Sequence, residues 1–219
     1  MRRDYTHISV ILDRTGTMEA ICADTIGGFN AFLKQQQAEP GYATMTLVQF
    51  DSQDPYEVLQ RLQPLSNVPE LTRATYVPRA STPLLDALGR GIIDLELSLT
   101  QMPDAERPAR IVMVIITDGQ ENASREFRKE QVAKMIKSKQ EQFDWQFVFL
   151  SADLAAITDA LASGVRAASA IAFDKNVQGT QAVWHSTGQR VAAFRAGVAE
   201  RVEFTEEDRA QQQADKARR

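Results

Sequence analysis

The sequence predicts a doubly wound α/β fold, in which a mostly parallel sheet carries helices on both faces. Strand-like apolar segments alternate with helix-like segments from residue 7 to about residue 198, which is the pattern of repeated strand–helix–strand units. Two of the strand-like segments, 8–12 and 110–117, are almost entirely apolar, as expected of central strands that are covered on both faces. The 219 residues are enough for one sizeable core and too few for two full domains.

The elements follow one another in a regular order. Strands are predicted, in chain order, over residues 7–12, 43–50, 56–60, 110–117, 145–150 and 168–173. Helices are predicted over residues 19–37, 82–99, 126–141, 154–163 and 177–198. The strand at 56–60 follows an Asp-Pro turn and is expected to be an antiparallel hairpin partner, whereas 168–173 is expected at a sheet edge. The connection 61–81 carries three prolines, and so long a loop in a small domain is more often functional than idle.

The last segment of the chain differs in composition from the rest. From Phe204 onward the sequence is rich in Glu, Asp, Gln, Lys and Arg and has almost no apolar residue. Such a composition does not bury enough apolar surface to order a chain. We therefore expect one domain over residues 1–203, followed by a solvated or disordered polar tail over 204–219.

Composition excludes several classes of function. The net charge of −4 argues against a nucleic-acid-binding surface. The lone cysteine, Cys22, excludes a disulfide framework or a cysteine metal cluster and is expected to be a buried small side chain. No apolar signal region and no apolar run of membrane-spanning length is present, so we expect a cytoplasmic protein without a membrane partner.

Five oxygen-bearing side chains are expected at one edge of the sheet. Asp13, Thr15 and Thr17 follow the first strand, Thr82 opens the second helix, and Asp118 follows the strand at 110–117. The carboxyl ends of parallel strands meet at one edge, where ligands bind in open α/β sheets. Carboxylates and hydroxyls are hard oxygen donors that suit Mg²⁺, and also Mn²⁺ or Ca²⁺, better than zinc. A water on such an ion is replaceable by a carboxylate from outside.

A purely structural interpretation of the same residues is also open. The side-chain oxygens of Asp13 and Thr15 are suited to cap the helix that follows them. Thr82 before Pro83 is likewise suited to cap the second helix, and Asp118 with Gly119 to form a turn. Each segment taken singly favours this interpretation. The occurrence of all three at one sheet edge favours a metal site.

Here the chain resembles a known family. The segments Asp13-Arg-Thr-Gly-Thr17, Ser81-Thr82-Pro-Leu-Leu-Asp-Ala-Leu88 and Ile116-Thr-Asp118-Gly119 resemble the metal-ion-dependent adhesion site of von Willebrand factor A domains. The resemblance covers most of residues 6–200 and is nearest to intracellular bacterial and phage members. Threonine stands at positions 15 and 17 where the family usually has serine, and Arg79-Ala-Ser81 replaces a glycine-rich run. The metal affinity of the site is the property that the extra methyl groups of these two threonines affect most directly.

The resemblance implies a non-enzymatic module that binds a partner protein. A Mg²⁺ ion would be held by Asp13, Thr15, Thr17, Thr82 and Asp118, and would coordinate an Asp or Glu of the partner. Many intracellular relatives work beside an ATPase or in a multi-protein complex. The resemblance implies such a partner for this chain only loosely. No catalytic residue and no organic cofactor is implied.

Two other functions are open, and the first of them uses the same residues differently. Asp-Arg-Thr-Gly-Thr is one residue away from the phosphorylation loop of P-type ATPases in the haloacid-dehalogenase superfamily, where the aspartate is a nucleophile beside Mg²⁺. That chemistry also needs a lysine and a later Gly-Asp-Gly-x-Asn-Asp segment, which the residues 117–122 do not match. The other alternative is a metal-independent scaffold that binds through the 61–81 loop or the polar tail.

Four further residues carry weaker signals. Asp51, at the end of the second strand, is expected in a solvated turn or, less favoured, at the rim of the site. Asp86, one helical turn past Thr82, is either a surface carboxylate or a group that supports the site. His7 and His185 lack a Ser or Cys partner motif, which argues against a hydrolytic triad. His185 is expected to pack or to lie on the surface.

Overall fold

A computed structural model describes residues 1–214 of the chain. In this part the sheet has six strands, namely β1 (Arg2–Asp13), β2 (Tyr42–Phe50), β3 (Glu57–Pro64), β4 (Pro108–Thr117), β5 (Gln146–Ser151) and β6 (Ala170–Ala172). The α-helices of the same part are α1 (Cys22–Ala38), α2 (Leu84–Thr100), α3 (Lys129–Phe143), α4 (Leu154–Ala162), α5 (Val177–Arg195) and α6 (Glu206–Ala214).

The sheet is doubly wound, as the sequence predicts. Its strand order is β3-β2-β1-β4-β5-β6. The pairs β1–β2, β1–β4, β4–β5 and β5–β6 are parallel, and β3 pairs antiparallel with β2 at one edge. The predictions of an antiparallel hairpin partner after residue 55 and of an edge strand near residue 170 are confirmed.

Two apolar layers cover the sheet. Helices α1 and α5 pack on one face, where Phe29 and Trp184 meet edge to face with ring centroids 6.0 Å apart. Helices α2, α3 and α4 pack on the other face around Ile92, Ile136 and Phe149. Alternate residues of β1 and β4 contribute to the two layers, since successive side chains of a strand point to opposite faces. Both central strands are therefore almost fully buried.

This topology creates the place where a ligand binds. Strands β1 and β4 are neighbours in the middle of the sheet, and the chain leaves β1 toward one face and β4 toward the other. The loops beyond their carboxyl ends therefore diverge and leave a crevice between them. The crevice lies at the segments that begin with Asp13 and Asp118.

The C-terminal segment differs from the sequence prediction. The composition predicts a solvated or disordered tail from Phe204, but Phe204 is buried against the core and α6 packs on α5. The carboxylate of Asp208 is buried and forms an ion pair with Arg190 on α5, with a Nε–Oδ2 distance of 2.7 Å. The prediction failed because composition does not show that a few side chains of a polar segment have partners elsewhere. Residues 215–219 of the predicted tail lie outside the described residues.

Within 1–214, none of the helices combines the length and the apolar character that a bilayer span requires.

Candidate metal site

The structure brings the five predicted side chains together at the crevice. Asp13 ends β1, Thr15 directly precedes the short 3-10 turn Gly16–Ile21, and Thr17 lies within that turn. Thr82 lies just before α2, and Asp118 lies directly after β4. Three loops that are distant in sequence thus contribute oxygen atoms to one site.

Hydrogen bonds connect the side chains of four of the five residues, namely Thr15, Thr17, Thr82 and Asp118. The hydroxyl oxygens of Thr15 and Thr17 are 3.1 Å apart, and the Thr82 hydroxyl donates to that of Thr15 over 3.4 Å. The hydroxyl of Thr17 donates to Oδ1 of Asp118. The side chain of Thr17 is exposed, whereas those of Asp13, Thr15 and Thr82 are buried. The set is therefore open to solvent at Thr17.

Asp13 is a carboxylate held rigidly in a buried position. Its Oδ1 accepts from the Thr15 amide and its Oδ2 from the Thr117 hydroxyl, each over 2.6 Å. The hydroxyl of Tyr76 donates to its backbone oxygen, also over 2.6 Å. Burial raises the pKa of Asp13 to about 6, although the hydrogen bonds from Thr117 and Thr15 act in the opposite direction. A cation beside this group would stabilise its ionised form, so its surroundings fit a metal ligand.

The donor set also fits a hard ion chemically. In the described part of the chain, no three His, Cys, Asp or Glu side chains group as metal ligands. The site therefore has two carboxylates, with neutral hydroxyls as its other side-chain oxygens. Such a set suits an oxygen-seeking cation that keeps some of its waters, as Mg²⁺ does.

Hydrogen bonds of the backbone fix the three loops relative to one another. The amide of Gly16 donates to Ala80 O over 3.0 Å, which joins the first loop to the second. The amide of Thr82 donates to Oδ1 of Asn122 over 2.8 Å, and the Asn122 amide donates back to Thr82 O over 3.0 Å. At Gly119 a Cβ atom would lie only 3.3 Å from Oγ1 of Thr17. Glycine thus lets the third loop approach the hydroxyls.

Sequence reasoning missed Lys175, whose ammonium group lies in the site. The residue belongs to the loop between β6 and α5. Its Nζ is 2.5 Å from Oδ2 of Asp118, a close ion pair without the geometry of a directed hydrogen bond. The same Nζ donates to the backbone oxygen of Thr17 over 2.6 Å. A single lysine in a distant loop gives no signal in the sequence, because only the tertiary fold brings it to Asp118.

Asp51 is part of a buried ion cluster behind the site, which corrects the favoured expectation of a solvated turn. Its carboxylate is fully buried, 2.8 Å from Nη2 of Arg14 and 2.9 Å from Nε of Arg79. Burial acts to raise the pKa of Asp51, but the amides of Gln53 and Asp54 and the two guanidinium groups hold it below its usual value. Arg14 stands between Asp13 and Thr15, so this cluster fixes the first loop from beneath.

Asp86 is buried too, which excludes the expected surface carboxylate. Its two oxygens accept from the amides of Arg125, Glu126 and Phe127 over 2.8–2.9 Å. These bonds hold residues 125–127 against α2, so α3 begins at Lys129 rather than at the predicted residue 126. Asp86 therefore supports the loop that follows Asp118.

The two histidines lie in different surroundings. His7 is fully buried in β1, with Nδ1 2.8 Å from the Thr44 hydroxyl. His185 is exposed on α5, with Nε2 3.0 Å from the side-chain nitrogen of Gln189, which confirms the expectation for this residue. Cys22 is buried, as predicted.

Comparisons with known proteins identify the fold. No family model and no curated protein sequence matches the chain. Among solved structures, the mussel byssus proximal thread matrix protein 1 with a zinc-occupied MIDAS motif (the metal-ion-dependent adhesion site) aligns with 88% of this chain and 47% of its own, at a TM-score of 0.60 and 12% identity. The von Willebrand factor type A protein of Catenulispora acidiphila aligns with 87% and 43%, at a TM-score of 0.59 and 11% identity.

A third structure has a different metal. Manganese-loaded TRAP protein of Plasmodium vivax aligns with 80% of this chain and 71% of its own, at a TM-score of 0.54 and 17% identity. Identities this low show the fold alone. The chain spans less than half of the mussel and Catenulispora proteins, so what those whole proteins do is not transferred to it.

Proposed function

We propose that this chain, which has the fold of von Willebrand factor A domains, is a non-enzymatic module that binds a partner protein through Mg²⁺. The ligands of the ion are the oxygens of Asp13, Thr15, Thr17, Thr82 and Asp118. The ion, when bound, supplies a coordination position for an Asp or Glu carboxylate of the partner. The cytoplasm, where we expect the protein, provides Mg²⁺, and an ATPase or a multi-protein complex is a suitable partner.

The convergence of hard oxygens from three loops is the observation that supports this proposal. A site built only for helix capping does not need the hydroxyls of Thr15 and Thr82 to point at each other across two loops. In addition, the caps of the following helices do not use these side chains, since neither the 3-10 turn nor α2 has a side-chain cap bond. The simple capping interpretation therefore loses its main support.

Metal binding is tested directly with Mn²⁺ as the probe. Free Mn²⁺ is titrated against the intact chain and followed by electron paramagnetic resonance, for the unmodified protein and for Asp118→Ala and Asp13→Asn. We expect saturable binding of about one ion that both substitutions abolish. Asp104→Ala is the matched control, because Asp104 is an exposed carboxylate before the opposite end of β4. Equal binding by Asp118→Ala and the unmodified protein would contradict the proposal.

Partner recognition is tested separately by affinity capture from the native cell extract. A partner retained in Mg²⁺, released by EDTA and absent from the Asp118→Ala eluate supports recognition through the ion. A partner that stays bound in EDTA supports the scaffold alternative instead, with the interface away from the five oxygens.

The position of Lys175 is one specific observation that favours the phosphoryl-transfer alternative. That chemistry needs a lysine near the aspartate loop, and Lys175 contacts both Asp118 and Thr17. Against it, the chain lacks the Gly-Asp-Gly-x-Asn-Asp segment that this chemistry requires, since residues 117–122 do not match it. Beryllofluoride, which mimics an aspartyl phosphate, distinguishes the two functions: binding that depends on Asp13 supports the enzyme, and its absence supports the binding module.

A further inference from the structure

Lys175 places a positive charge where the proposed metal ion needs a ligand. Its ammonium nitrogen is 2.5 Å from Oδ2 of Asp118, and it also donates to the backbone oxygen of Thr17. The Asp118 oxygen belongs to the group that the proposed function assigns to the ion, and the Thr17 backbone oxygen belongs to a residue whose hydroxyl is in that group. Lys175 therefore binds the site in the way a cation would, through oxygen atoms from two of the three loops.

The ammonium group and a divalent ion compete for the same carboxylate. Two cations a few ångströms apart repel each other, most strongly where water is partly excluded. The Asp118 side chain is fully buried, so water screens this repulsion poorly. An ion that coordinates Asp118 therefore raises the energy of the Lys175 contact.

The surrounding backbone keeps Lys175 close to the site while its side chain remains able to leave. On one side of Lys175, the amide of Phe173 donates to Ser151 O over 3.0 Å and the Phe173 ring is buried. On the other side, Asn176 caps α5 by accepting from the Gly179 amide over 2.8 Å. The Lys175 side chain itself is 37% exposed. Its release into solvent thus requires only side-chain rotation.

We propose that Lys175 is a built-in counter-cation that competes with the divalent metal for Asp118 and so sets the metal concentration at which the site loads. This inference rests on the proposed metal site and extends it with a residue outside the five oxygens. The lysine stabilises the loops without metal, and metal binding is coupled to release of its ammonium group.

The test compares Mn²⁺ affinity and thermal stability in EDTA for the unmodified chain, Lys175→Met and Lys175→Arg. Methionine keeps much of the length and removes the charge, so we expect Lys175→Met to bind Mn²⁺ about fivefold more tightly or better and to melt at a lower temperature in EDTA. Arginine keeps the charge and should leave the affinity near that of the unmodified chain. Lys129→Met is the matched control, because Lys129 forms a comparable ion pair with Asp159 away from the site.

The outcomes separate this inference from the proposed function. If the unmodified chain binds Mn²⁺ and Lys175→Met binds it no more tightly, the competition is overturned and the metal site stands. If only Lys175→Met binds Mn²⁺, the lysine blocks the site and the competition is supported. If neither binds, the metal site is overturned and the competition with it.

Discussion

At the scale of single residues, the threonine hydroxyls make this site different from a site that has only two carboxylates. Thr17 is the most informative, because its hydroxyl contacts both Thr15 and Asp118 while its side chain is exposed to solvent. An exposed side chain tolerates substitution without a cost in core packing. A mutation at this position can therefore remove the hydroxyl group and leave the methyl group in place.

Replacement of Thr17 by valine should weaken metal binding. Valine keeps the branched shape and removes one oxygen ligand, so we expect the dissociation constant for Mn²⁺ to rise by about tenfold, which corresponds to about 1.4 kcal/mol of binding free energy. Thr17→Ser keeps the oxygen and should bind at least as well as the unmodified chain. The two constants are compared by the same Mn²⁺ titration. Equal affinities for the valine and serine variants would remove Thr17 from the ligand set.

His7 makes a second residue-scale prediction, on acid stability. Complete burial lowers its pKa to about 3, whereas an unfolded histidine titrates near 6.5. Below pH 6.5 the unfolded chain takes up a proton that the folded chain does not, so the unfolded state gains stability as the pH falls toward 3. Above pH 6.5 the two states bind no proton here and the contribution is constant.

The expected size is about 2 kcal/mol of unfolding free energy lost by this group between pH 7 and pH 5. Urea unfolding in EDTA over this range should therefore show a shallower pH dependence for His7→Gln than for the unmodified chain. His185→Gln, at the exposed histidine, is the matched control and should follow the unmodified curve. A His7→Gln curve parallel to the unmodified one would mean that burial of His7 does not govern the acid response.

At the scale of elements, α1 and α5 meet through a glycine. A Cβ atom at Gly28 would lie 2.1 Å from Cδ1 of Trp184 on α5, and the Trp184 ring is buried between the two helices. The neighbouring Gly27 is exposed, and a Cβ atom there would meet nothing within 4 Å. Two adjacent glycines of one helix thus differ only in what faces them.

Alanine at these two positions should have opposite effects. Gly28→Ala overpacks the α1–α5 interface and should lower the free energy of unfolding by about 1–3 kcal/mol. Gly27→Ala should raise it by about 0.5–1 kcal/mol, because alanine is the better helix former. Urea unfolding measures both. Equal effects of the two substitutions would show that the helices do not pack as closely as the Trp184 contact requires.

The same elements show what the sequence predicts and what it does not. The strands β1 and β4 are predicted well because continuous apolar runs report burial on both faces. The periodicity of apolar residues does not show which polar side chains form hydrogen bonds or ion pairs with residues distant in the sequence. The sequence therefore favours a solvated turn for Asp51 and leaves Asp86 open between the surface and a supporting role, although Arg14 and Arg79 bind the first and three amides bind the second.

The site itself was predictable in part for a related reason. Its five oxygens follow strand ends and a helix start, so topology is enough to bring them to one edge. Lys175 follows the edge strand β6, and only the length and direction of its loop decide that it reaches Asp118. A contact of that kind is determined by three-dimensional packing, and no periodic pattern in the sequence indicates it.

On the scale of the whole molecule, the C-terminal segment closes one edge of the fold. The amide of Phe204 donates to Ala168 O over 2.8 Å, and Arg209 Nη1 on α6 donates to Ala170 O at β6 over 2.9 Å. Asp208 joins α6 to α5 through Arg190. Burial acts to raise the pKa of Asp208, but the bonds from Arg190 and the Thr205 amide hold it below its usual value. The segment is therefore a structural part of the domain.

Removal of residues 204–219 should then destabilise the domain, in contrast to the behaviour of a solvated tail. Loss of the buried Phe204 ring and of the partner of Arg190 should lower the free energy of unfolding by about 3 kcal/mol, measured by urea unfolding. Asp208→Ala in the full chain should reproduce part of the loss, whereas Glu207→Ala, an exposed carboxylate one residue away, should have little effect. An unchanged unfolding midpoint after truncation would restore the sequence-based expectation of a solvated tail. A loss confined to the truncation would assign the stabilisation to the Phe204 ring and the Arg209 bonds together, because Asp208→Ala removes the ion pair and leaves both in place.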